Sequence, residues 1–308
     1  MSRFVKSHGL GNDYLVLAET DLDFPLVAGT IRRLCHRSLG VGADGILVQV
    51  ASARADFGVR IFNPDGSEAE KSGNGLRIFA KYAYEHVGAS GPRFSVETAG
   101  GVVGCACEVV AGRVVSVAVE IGCASFQACD VPMSGTEGEA VSVPLQVDDR
   151  VVVITALSLG NPHCVLFPDR LDEAEARSLG PRLEHHPAFP RRTNVQFARV
   201  ETRSRVELLI WERGAGFTLA SGSSACAAAA AAVKLGLADP GRLTVAMPGG
   251  TLAVEVRPDW SLSLSGPVEE VATGTLSPDL VAALNAPTSP AAPAALAPAP
   301  ARAPRPRA

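Results

Sequence analysis

The sequence is poor in charge, has no long apolar run and follows no regular cysteine pattern. Charged residues make up 19% of the 308 residues and the formal net charge is −4, so no overall positive field attracts nucleic acid or an anionic membrane. The longest apolar run, residues 225–233, falls short of the roughly 18 residues that a transmembrane helix requires. These absences argue against a charge-driven nucleic-acid binder and against a helical membrane protein.

The amino terminus and the cysteines predict a cytoplasmic location. Residues 1–13 lack the apolar stretch of a secretory signal. The seven cysteines are an odd number without framework or zinc-binding spacing, so reduced thiols are expected. Because 47% of the residues are hydrophobic, the chain has ample apolar area for a core. We expect a soluble cytoplasmic protein that binds neither nucleic acid nor membrane.

The carboxyl-terminal segment, residues 286–308, differs in composition from the rest. It holds seven of the 22 prolines, alanine fills most of its other positions, and its charges are three arginines. Such a segment cannot bury apolar area, which predicts a disordered tail acting as a spacer rather than as a partner-binding segment. The folded part is therefore expected within residues 1–280.

The chain contains an internal repeat at a constant offset of 149 residues. The matching dipeptides are Gly11-Asn12 with Gly160-Asn161, Val16-Leu17 with Val165-Leu166, Ile61-Phe62 with Ile210-Trp211, and Ser72-Gly73 with Ser221-Gly222. Four matches in one register are hard to assign to chance and predict two homologous halves. We assign residues 1–125 to an amino-terminal domain and residues 140–280 to a carboxyl-terminal domain, related by a pseudo-two-fold axis.

Each half is predicted to consist of strands and one central helix. Strand composition and bounding Gly, Pro or Asp mark residues 45–50, 102–110, 113–121, 151–156, 205–210 and 251–256. Apolar residues at helical spacing predict one helix after Ser72, ended by Gly88. A second helix, residues 224–235, is apolar nearly all round and must be buried on most faces. The predicted fold class is α+β, with a mostly antiparallel sheet around each helix.

Ser, Gly and Asn accumulate at both predicted helix starts, as Ser72-Gly73-Asn74-Gly75 and Ser221-Gly222-Ser223-Ser224. The free N–H groups and the dipole of a helix start form an anion site suited to a carboxylate. If both starts point into one cleft, the two serines flank the α-carbon of a small acid. The alternative for each motif alone is ordinary capping, since Ser is a favoured N-cap; the repetition at equal offset favours the site.

These motifs resemble those of diaminopimelate epimerase. The segments HGLGNDYLVL, ADGILV, IFNPDGSEAEKSGNGLR, GNPHCV, RRTNVQF and WERGAGFTLASGSSACA follow that family's order and cover essentially all of residues 3–270. The resemblance implies two pseudo-symmetric domains, each a mostly antiparallel β-barrel around a central helix, with the active site between them. It further implies an isomerase, independent of pyridoxal phosphate and of any other cofactor or metal, that interconverts LL- and meso-diaminopimelate in lysine biosynthesis and works as a homodimer.

The resemblance also implies substrate contacts. Carried over residue by residue, they fall on Asn12, Asn63, Gly73, Asn74, Asn161, Asn194, Glu212, Arg213, Gly222 and Ser223. Asn side chains both donate and accept, and the Arg213 guanidinium is suited to a distal carboxylate, so the set fits a zwitterionic diamino diacid. His163 and Glu212 resemble the family's auxiliary pair beside its two bases; the alternatives are a histidine in a surface turn and a glutamate at a strand end.

The sequence departs from the family at the two catalytic positions. The family has a cysteine at each, one acting as thiolate base and the other as thiol acid, whereas this chain has Ser72 and Ser221. An alcohol pKa lies about seven units above that of a thiol, which disfavours the anionic base by roughly 10 kcal/mol. A helix dipole offsets at most ~2 kcal/mol of that. A serine can act as a base only if another group, His163 or Glu212, takes its proton.

A second departure is Phe217, where the family usually has Glu. Three functions therefore stay open at this point. The first is an epimerase acting on diaminopimelate or a close relative. The second is another isomerase on this scaffold, in which His163 or Glu212 moves a proton within a different carboxylic acid. The third is a homologue that binds an amino acid without turnover. The intact polar contact set favours the first, and the missing thiols favour the other two.

Overall fold

The structure is a computed structural model that describes residues 2–286 of the 308. The predicted tail therefore lies outside the described residues, apart from Ala286. The first ten elements are β1 (Arg3–Gly9), β2 (Asn12–Ala18), α1 (Ala28–Cys35), β3 (Gly45–Val50), β4 (Phe57–Phe62), β5 (Glu68–Ala69), α2 (Gly73–Tyr82), β6 (Arg93–Thr98), β7 (Gly101–Val110) and β8 (Arg113–Cys123).

The remaining elements are β9 (Val143–Val147), β10 (Arg150–Ser158), β11 (Pro162–Leu166), α3 (Glu173–Glu184), β12 (Asn194–Thr202), β13 (Arg205–Glu212), β14 (Gly216–Thr218), α4 (Gly222–Lys234), β15 (Gly241–Met247), β16 (Gly250–Val256), β17 (Ser261–Pro267), β18 (Glu269–Thr275) and α5 (Pro278–Asn285). Within residues 2–286, no helix combines the length and the apolar character needed to cross a membrane.

The order of elements repeats, and so does the strand pairing. The parallel ladder β2–β3 corresponds to β11–β12, and the parallel ladder β4–β6 corresponds to β13–β15. The other ladders of both halves are antiparallel, for example β6–β7 and β15–β16. Tyr14 pairs with Gly45 in the first parallel ladder, and His163 pairs with Asn194 in the second. His163 lies 149 residues after Tyr14, and Asn194 lies 149 residues after Gly45.

Each sheet surrounds one helix. The buried side of α2 packs on β1, β2, β7 and β8, while α4 packs on strands β10 to β13 and on β15, β16 and β17. Residues 225–232 of α4 include seven alanines that are completely inaccessible to solvent. Their small side chains let the surrounding strands approach the helix closely. The mixed, mostly antiparallel α+β fold predicted from the sequence is confirmed.

The two halves are joined in the middle and at the end of the chain. Strand β8 pairs antiparallel with β17, so the two sheets are continuous there. Strand β18 crosses back to pair with β1, while β10 has the corresponding partner in β9. The division into domains at 1–125 and 140–280 stays a prediction, and both β17 and β18 of the second range pair with strands of the first.

Both central helices were expected, with small differences at their ends. Helix α2 begins at Gly73 and continues as a π-helical turn, Ala83–Val87, before Gly88 ends it with a φ of 90°. Helix α4 begins at Gly222, two residues before the predicted start. Helices α1, α3 and α5 were not predicted from the sequence.

Candidate active site

Both central helices start at one cleft. Its volume is about 1110 Å³, and its lining comes from both halves: the turns after β1 and β10, the starts of α2 and α4, and the β13–β14 hairpin. Eleven of the thirteen predicted site residues line it: Ser72, Ser221, Glu212, Asn12, Asn63, Gly73, Asn74, Asn161, Arg213, Gly222 and Ser223.

The two helix starts meet at a pair of glycines. A Cβ placed on Gly73 would lie 3.8 Å from the Cα of Gly222, and one placed on Gly222 would lie 3.8 Å from the Cα of Gly73. The Leu264 side chain packs beside both, at 2.7 Å from the Cβ position of Gly222. Both helices therefore direct the unpaired N–H groups of their first turns at one place, which favours a bound carboxylate.

Ser72 is the N-cap of α2. Its Oγ accepts a hydrogen bond from the Gly75 N–H at 3.0 Å. The same oxygen lies 3.3 Å from the Tyr14 hydroxyl, with either oxygen able to donate. The capping interpretation is thus correct for this serine, and it coexists with a second contact towards the cleft.

Ser221 is also an N-cap residue by backbone conformation, but its side chain makes no capping hydrogen bond. Its hydroxyl lies near enough to the carboxyl of Glu212 to lower the pKa of that group. Glu212 Oε1 also accepts a hydrogen bond of 2.7 Å from the Thr218 hydroxyl. Burial raises the pKa of Glu212, and the two hydroxyl contacts lower it in part. The group able to take up a proton on this side is therefore the carboxyl beside Ser221.

Asparagine side chains form a fixed chain along one wall of the cleft. Asn74 Nδ2 donates to Asn12 Oδ1 at 3.1 Å, and Asn12 Nδ2 donates to Asp44 Oδ2 at 3.2 Å. The buried guanidinium of Arg77 donates to Asn74 Oδ1 at 2.5 Å. Burial lowers the pKa of Arg77 to about 10. These bonds fix which end of each amide faces the cleft.

His163 does not line the cleft, in contrast to its predicted place among the catalytic residues. Its side chain is completely buried, with Nε2 3.0 Å from Asn161 Oδ1 and Nδ1 3.1 Å from the Gln196 amide nitrogen. Burial lowers the pKa of His163 to about 3. A neutral imidazole that donates through Nε2 and accepts through Nδ1 satisfies both contacts, so this ring orients Asn161.

Asn194 is the second predicted residue that does not line the cleft. It is buried, its Nδ2 donates to the Pro162 carbonyl at 2.9 Å, and its Oδ1 accepts from the Arg213 N–H at 3.0 Å. The amide therefore ties the β11 start to the hairpin that carries Arg213. Asn194 thus supports the backbone of Arg213. Sequence matching alone does not distinguish such a supporting residue from one that contacts the substrate.

Arg213 lies exposed at the cleft rim, where its guanidinium donates to the Arg191 carbonyl at 3.1 Å. Asn63 also lines the rim and donates to the Ser67 hydroxyl at 2.9 Å. Phe217 contributes to the lining, and its ring stacks against the Arg177 guanidinium at 4.1 Å. The rim thus combines a cationic group with amide and apolar surface.

The structure adds cleft residues that sequence reasoning missed, above all Tyr14, Asp44 and Thr218. In the sequence, Tyr14 is indistinguishable from the other apolar residues of a buried strand. The signal that identifies it is the internal repeat, because Tyr14 lies 149 residues before His163 and occupies the same ladder position.

The charges of the cleft are mixed in sign. Lys71 and Arg213 line it together with Asp44, Glu70, Glu120 and Glu212. All seven cysteines are free and none lines the cleft, and both Cys164 and Cys226 are completely buried. Within residues 2–286, the grouping close enough for a metal is Glu85, His86 and Glu270, none of which lines the cleft.

Comparison with known proteins identifies relatives along almost the whole described chain. The sequence model of the family described as diaminopimelate epimerase matches residues 4–127 and 155–271. The chain is 48% identical over 281 residues to "Diaminopimelate epimerase 2" of Nostoc sp., covering 91% of this chain and 97% of that protein. It is 43% identical over 273 residues to the diaminopimelate epimerase of Moorella thermoacetica, covering 88% and 98%.

Solved structures share the fold at low sequence identity. A probable proline racemase from Agrobacterium radiobacter superposes with a TM-score of 0.67 at 14% identity, covering 91% of this chain and 94% of that one. A hydroxyproline epimerase from Agrobacterium vitis superposes with a TM-score of 0.64 at 14% identity, covering 89% and 90%.

Proposed function

This chain belongs to the diaminopimelate epimerase family, and we propose, from this membership and from the residues that line the cleft, that it interconverts LL- and meso-diaminopimelate. The reaction moves a proton off one face of the substrate α-carbon and returns a proton to the other face. The observation that carries the proposal is the meeting of two helix starts at Gly73 and Gly222, each preceded by a hydroxyl-bearing residue that lines the same cleft.

The helix starts supply the electrostatic part of the reaction. Loss of the α-proton leaves charge that spreads onto the neighbouring carboxylate. The N–H groups of Gly73, Asn74, Gly222 and Ser223 would hold that carboxylate and stabilise the added charge without rearranging. Because both helices contribute, the stabilisation is the same whichever face loses its proton.

The serines change how protons move, compared with thiols. A free serine alkoxide is disfavoured by roughly 10 kcal/mol relative to a thiolate, so Ser221 needs a partner that accepts its proton. Glu212 fills that role, since its carboxyl interacts with the Ser221 hydroxyl and burial raises its pKa. We assign Glu212 and Ser221 to one face of the substrate and Ser72 to the other.

Substrate selection follows from the rest of the lining. Arg213 at the rim suits the distal carboxylate of a diamino diacid, and the fixed amides of Asn12, Asn74 and Asn161 suit its ammonium and carboxylate groups. We assign His163 and Asn194 to positioning, of Asn161 and Arg213 respectively.

We further infer, from family membership, that the protein acts in lysine biosynthesis, in the cytoplasm and as a homodimer. The two predicted domains, 1–125 and 140–280, would then be the two walls of the cleft. Light scattering on the purified chain tests the dimer independently of activity.

The test of the function is epimerisation in deuterated water. Purified full-length chain is incubated with LL- or with meso-diaminopimelate, the α-proton is followed by NMR, and the isomers are separated chromatographically. We expect each isomer to yield the other, with solvent deuterium at the α-carbon of the product. Binding of either isomer without exchange and without inversion would overturn the proposal.

Two variants sharpen this test. Glu212→Gln keeps the shape of the side chain but cannot accept a proton, so inversion should fall about 10²- to 10⁴-fold. Glu207→Gln is the matched control, because Glu207 lies on the same strand and pairs with Arg199 rather than with the cleft.

A second candidate function has one observation in its favour. Glu212 is the carboxyl with a raised pKa beside a catalytic-position serine, and a single base of this kind suffices to move a proton within another small carboxylic acid. In that case the double variant Ser72→Cys with Ser221→Cys would gain epimerisation of diaminopimelate that the parent chain lacks.

A further inference from the structure

The Ser72 face of the cleft contains a second hydroxyl, that of Tyr14. We propose that Tyr14 is a positioning residue that relays a proton to Ser72, so that the Ser72 hydroxyl can protonate the substrate α-carbon. The inference rests on the proposed epimerase function and adds to it the proton source on the face opposite Glu212.

The hydrogen bonds around Ser72 support a relay. Its Oγ accepts the Gly75 N–H at 3.0 Å and lies 3.3 Å from the Tyr14 oxygen. In the described part of the chain, Ser72 is the hydrogen-bond partner of the Tyr14 hydroxyl. Whichever of the two donates, one proton lies between the oxygens and the other hydroxyl proton remains available to the cleft, which both residues line.

The Tyr14 ring is held rigidly in that position. The side chain is only 7% exposed, and its Cε1 occupies the place that a Cβ on Gly45 would need, at 2.4 Å. Only glycine at position 45 leaves room for the ring. The hydroxyl is therefore presented at a defined point of an otherwise apolar side chain, as a relay requires.

The environment keeps the phenol protonated. Burial raises the pKa of Tyr14, and the nearby negative charges of Asp44 and Glu212 raise it further. At neutral pH the Ser72 face therefore carries a proton to give, while the Glu212 face carries a group that can take one. The two faces are chemically different although the helix starts are equivalent.

The proton movements balance. On one face the Ser221 oxygen takes the α-proton as its own proton passes to the Glu212 carboxylate, and the C–H electron pair stays on the substrate. On the other face the α-carbon takes the Ser72 proton, and the Ser72 oxygen takes the Tyr14 proton. Exchange with water then returns a proton to the Tyr14 phenolate and removes one from Glu212. Reversal of every step converts the other isomer.

The test compares Tyr14→Phe with the parent chain in deuterated water. Removing one oxygen leaves the ring in place, so we expect the inversion kcat to fall about 100-fold or more with KM unchanged. Exchange of the α-proton should continue, with retention of configuration, for the isomer whose proton faces Ser221. Tyr82→Phe is the matched control, because the Tyr82 hydroxyl contacts Gln49 and does not line the cleft.

A rescue variant separates a relay from a merely structural role. In the double variant Tyr14→Phe with Ser72→Cys, the thiol has an ordinary pKa near 8.5 and can supply its own proton. Loss of the Tyr14 hydroxyl should therefore lower inversion much less in a Ser72→Cys chain than in the parent chain. A structural role for Tyr14 predicts the same fold loss in both, since the ring is unchanged and the missing oxygen is restored in neither.

Each outcome points to a different conclusion. A parent chain without exchange or inversion overturns the proposed function, and the relay with it. A parent chain that epimerises alongside a Tyr14→Phe variant of equal kcat overturns the relay alone. Loss of exchange and inversion together, with a raised KM and the same fold loss in a Ser72→Cys chain, also overturns the relay and leaves the epimerase function standing.

Discussion

At the scale of single residues, Ser72 and Ser221 demonstrate how neighbours decide the role of a side chain. Both are N-cap residues in equivalent positions, yet the Ser72 hydroxyl accepts a helix N–H, while the Ser221 hydroxyl makes no capping bond and lies near the Glu212 carboxyl. The position equivalent to Glu212 in the first half is Asn63, which lies 149 residues earlier and cannot take up a proton. The two sides of the cleft therefore differ in their ability to accept a proton even without a bound substrate.

Glu212 gives the activity a predictable pH dependence. Burial raises its pKa above the usual 4.5, and the carboxylate form is the base for the isomer whose α-proton faces Ser221. As pH falls through the raised pKa, the group becomes protonated and kcat/KM for that isomer falls. We expect the acid limb of the kcat/KM profile to lie above pH 4.5 and to be absent from the residual activity of Glu212→Gln. An acid limb that persists in this variant would assign it to another group.

His163 gives the stability a pH dependence of its own. Its folded-state pKa is about 3, against a usual value of 6.5, so the unfolded chain binds the extra proton between these values. The free energy of unfolding therefore decreases as pH falls below 6.5, by about 1.4 kcal/mol per pH unit from this residue. Urea unfolding at pH 7, 6 and 5 measures the slope, which should be shallower in His163→Gln.

The control for that slope is His185→Gln. His185 is exposed at the end of α3, so this variant removes an imidazole while the buried contacts of His163 stay as they are. Equal slopes for the parent and His163→Gln would mean that the buried imidazole does not titrate as described.

Eleven of the thirteen residues predicted from the sequence line the cleft, and two lie behind it. Ser72, Ser221 and Arg213 were identified by motifs, and all three line the cleft. His163 and Asn194 lie in the same motifs, but a motif does not distinguish a side chain that touches the ligand from one that holds the next residue in place. Tyr14 was missed for the opposite reason, since its hydroxyl lies in an apolar strand.

At the scale of elements, the glycines that begin α2 and α4 leave room for the Leu264 side chain, which packs beside both. A Cβ on Gly222 would lie 2.7 Å from the Leu264 Cδ2, closer than atoms pack, whereas one on Gly73 would lie 3.3 Å away. Leu264 is completely buried and has little room to move. A side chain at position 222 can therefore be accommodated only if the core around Leu264 shifts.

This difference predicts a graded response to alanine. Gly222→Ala should lower the free energy of unfolding by about 1–3 kcal/mol, and Gly73→Ala should lower it by less. Urea unfolding of both variants provides the comparison. Inversion should fall in both, because the helix N–H groups move relative to the substrate carboxylate. Equal stability of the two variants would argue that Leu264 relaxes freely.

Elements with strong periodicity were predicted well, and those with contrary composition were missed. The strands Gly45–Val50 and Arg113–Cys123 match their predicted segments closely. Helix α3 contains Gly180 and Pro181, which oppose a helix. Position 180 requires glycine because the Trp211 ring packs at 2.6 Å from the place of a Cβ. This contact joins residues 31 positions apart, so the local sequence around Gly180 does not reveal it. Helices α1 and α5 are only eight residues long, too short for a reliable period.

At the scale of the whole molecule, the last strand belongs to the first sheet. Strand β18 pairs with β1 from Arg3↔Thr275 to His8↔Glu269, and α5 then packs against α1 through Leu284 and its neighbours. The carboxyl-terminal part of the described chain thus completes the sheet and the core of the amino-terminal half, from which it is distant in sequence.

Removing this closure should destabilise the first half selectively. A chain ending at Pro267 lacks β18 and α5, so hydrogen exchange at the amides of β1 and β2 should become faster while α4 keeps its protection. The midpoint of urea unfolding should fall as well. A chain ending at Ala286 retains both elements and is expected to unfold as the full chain does. Equal protection of β1 in both truncated chains would contradict this account.

The β18–β1 pairing has a consequence for synthesis. A nascent chain emerges amino terminus first, so the edge of β1 stays open on the ribosome until almost the entire polypeptide has been translated, whereas β10 meets β9 at once. An open edge invites pairing with another chain. A circular permutant that places residues 268–286 ahead of Ser2 would supply that partner first and should give a higher yield of folded protein from the same message.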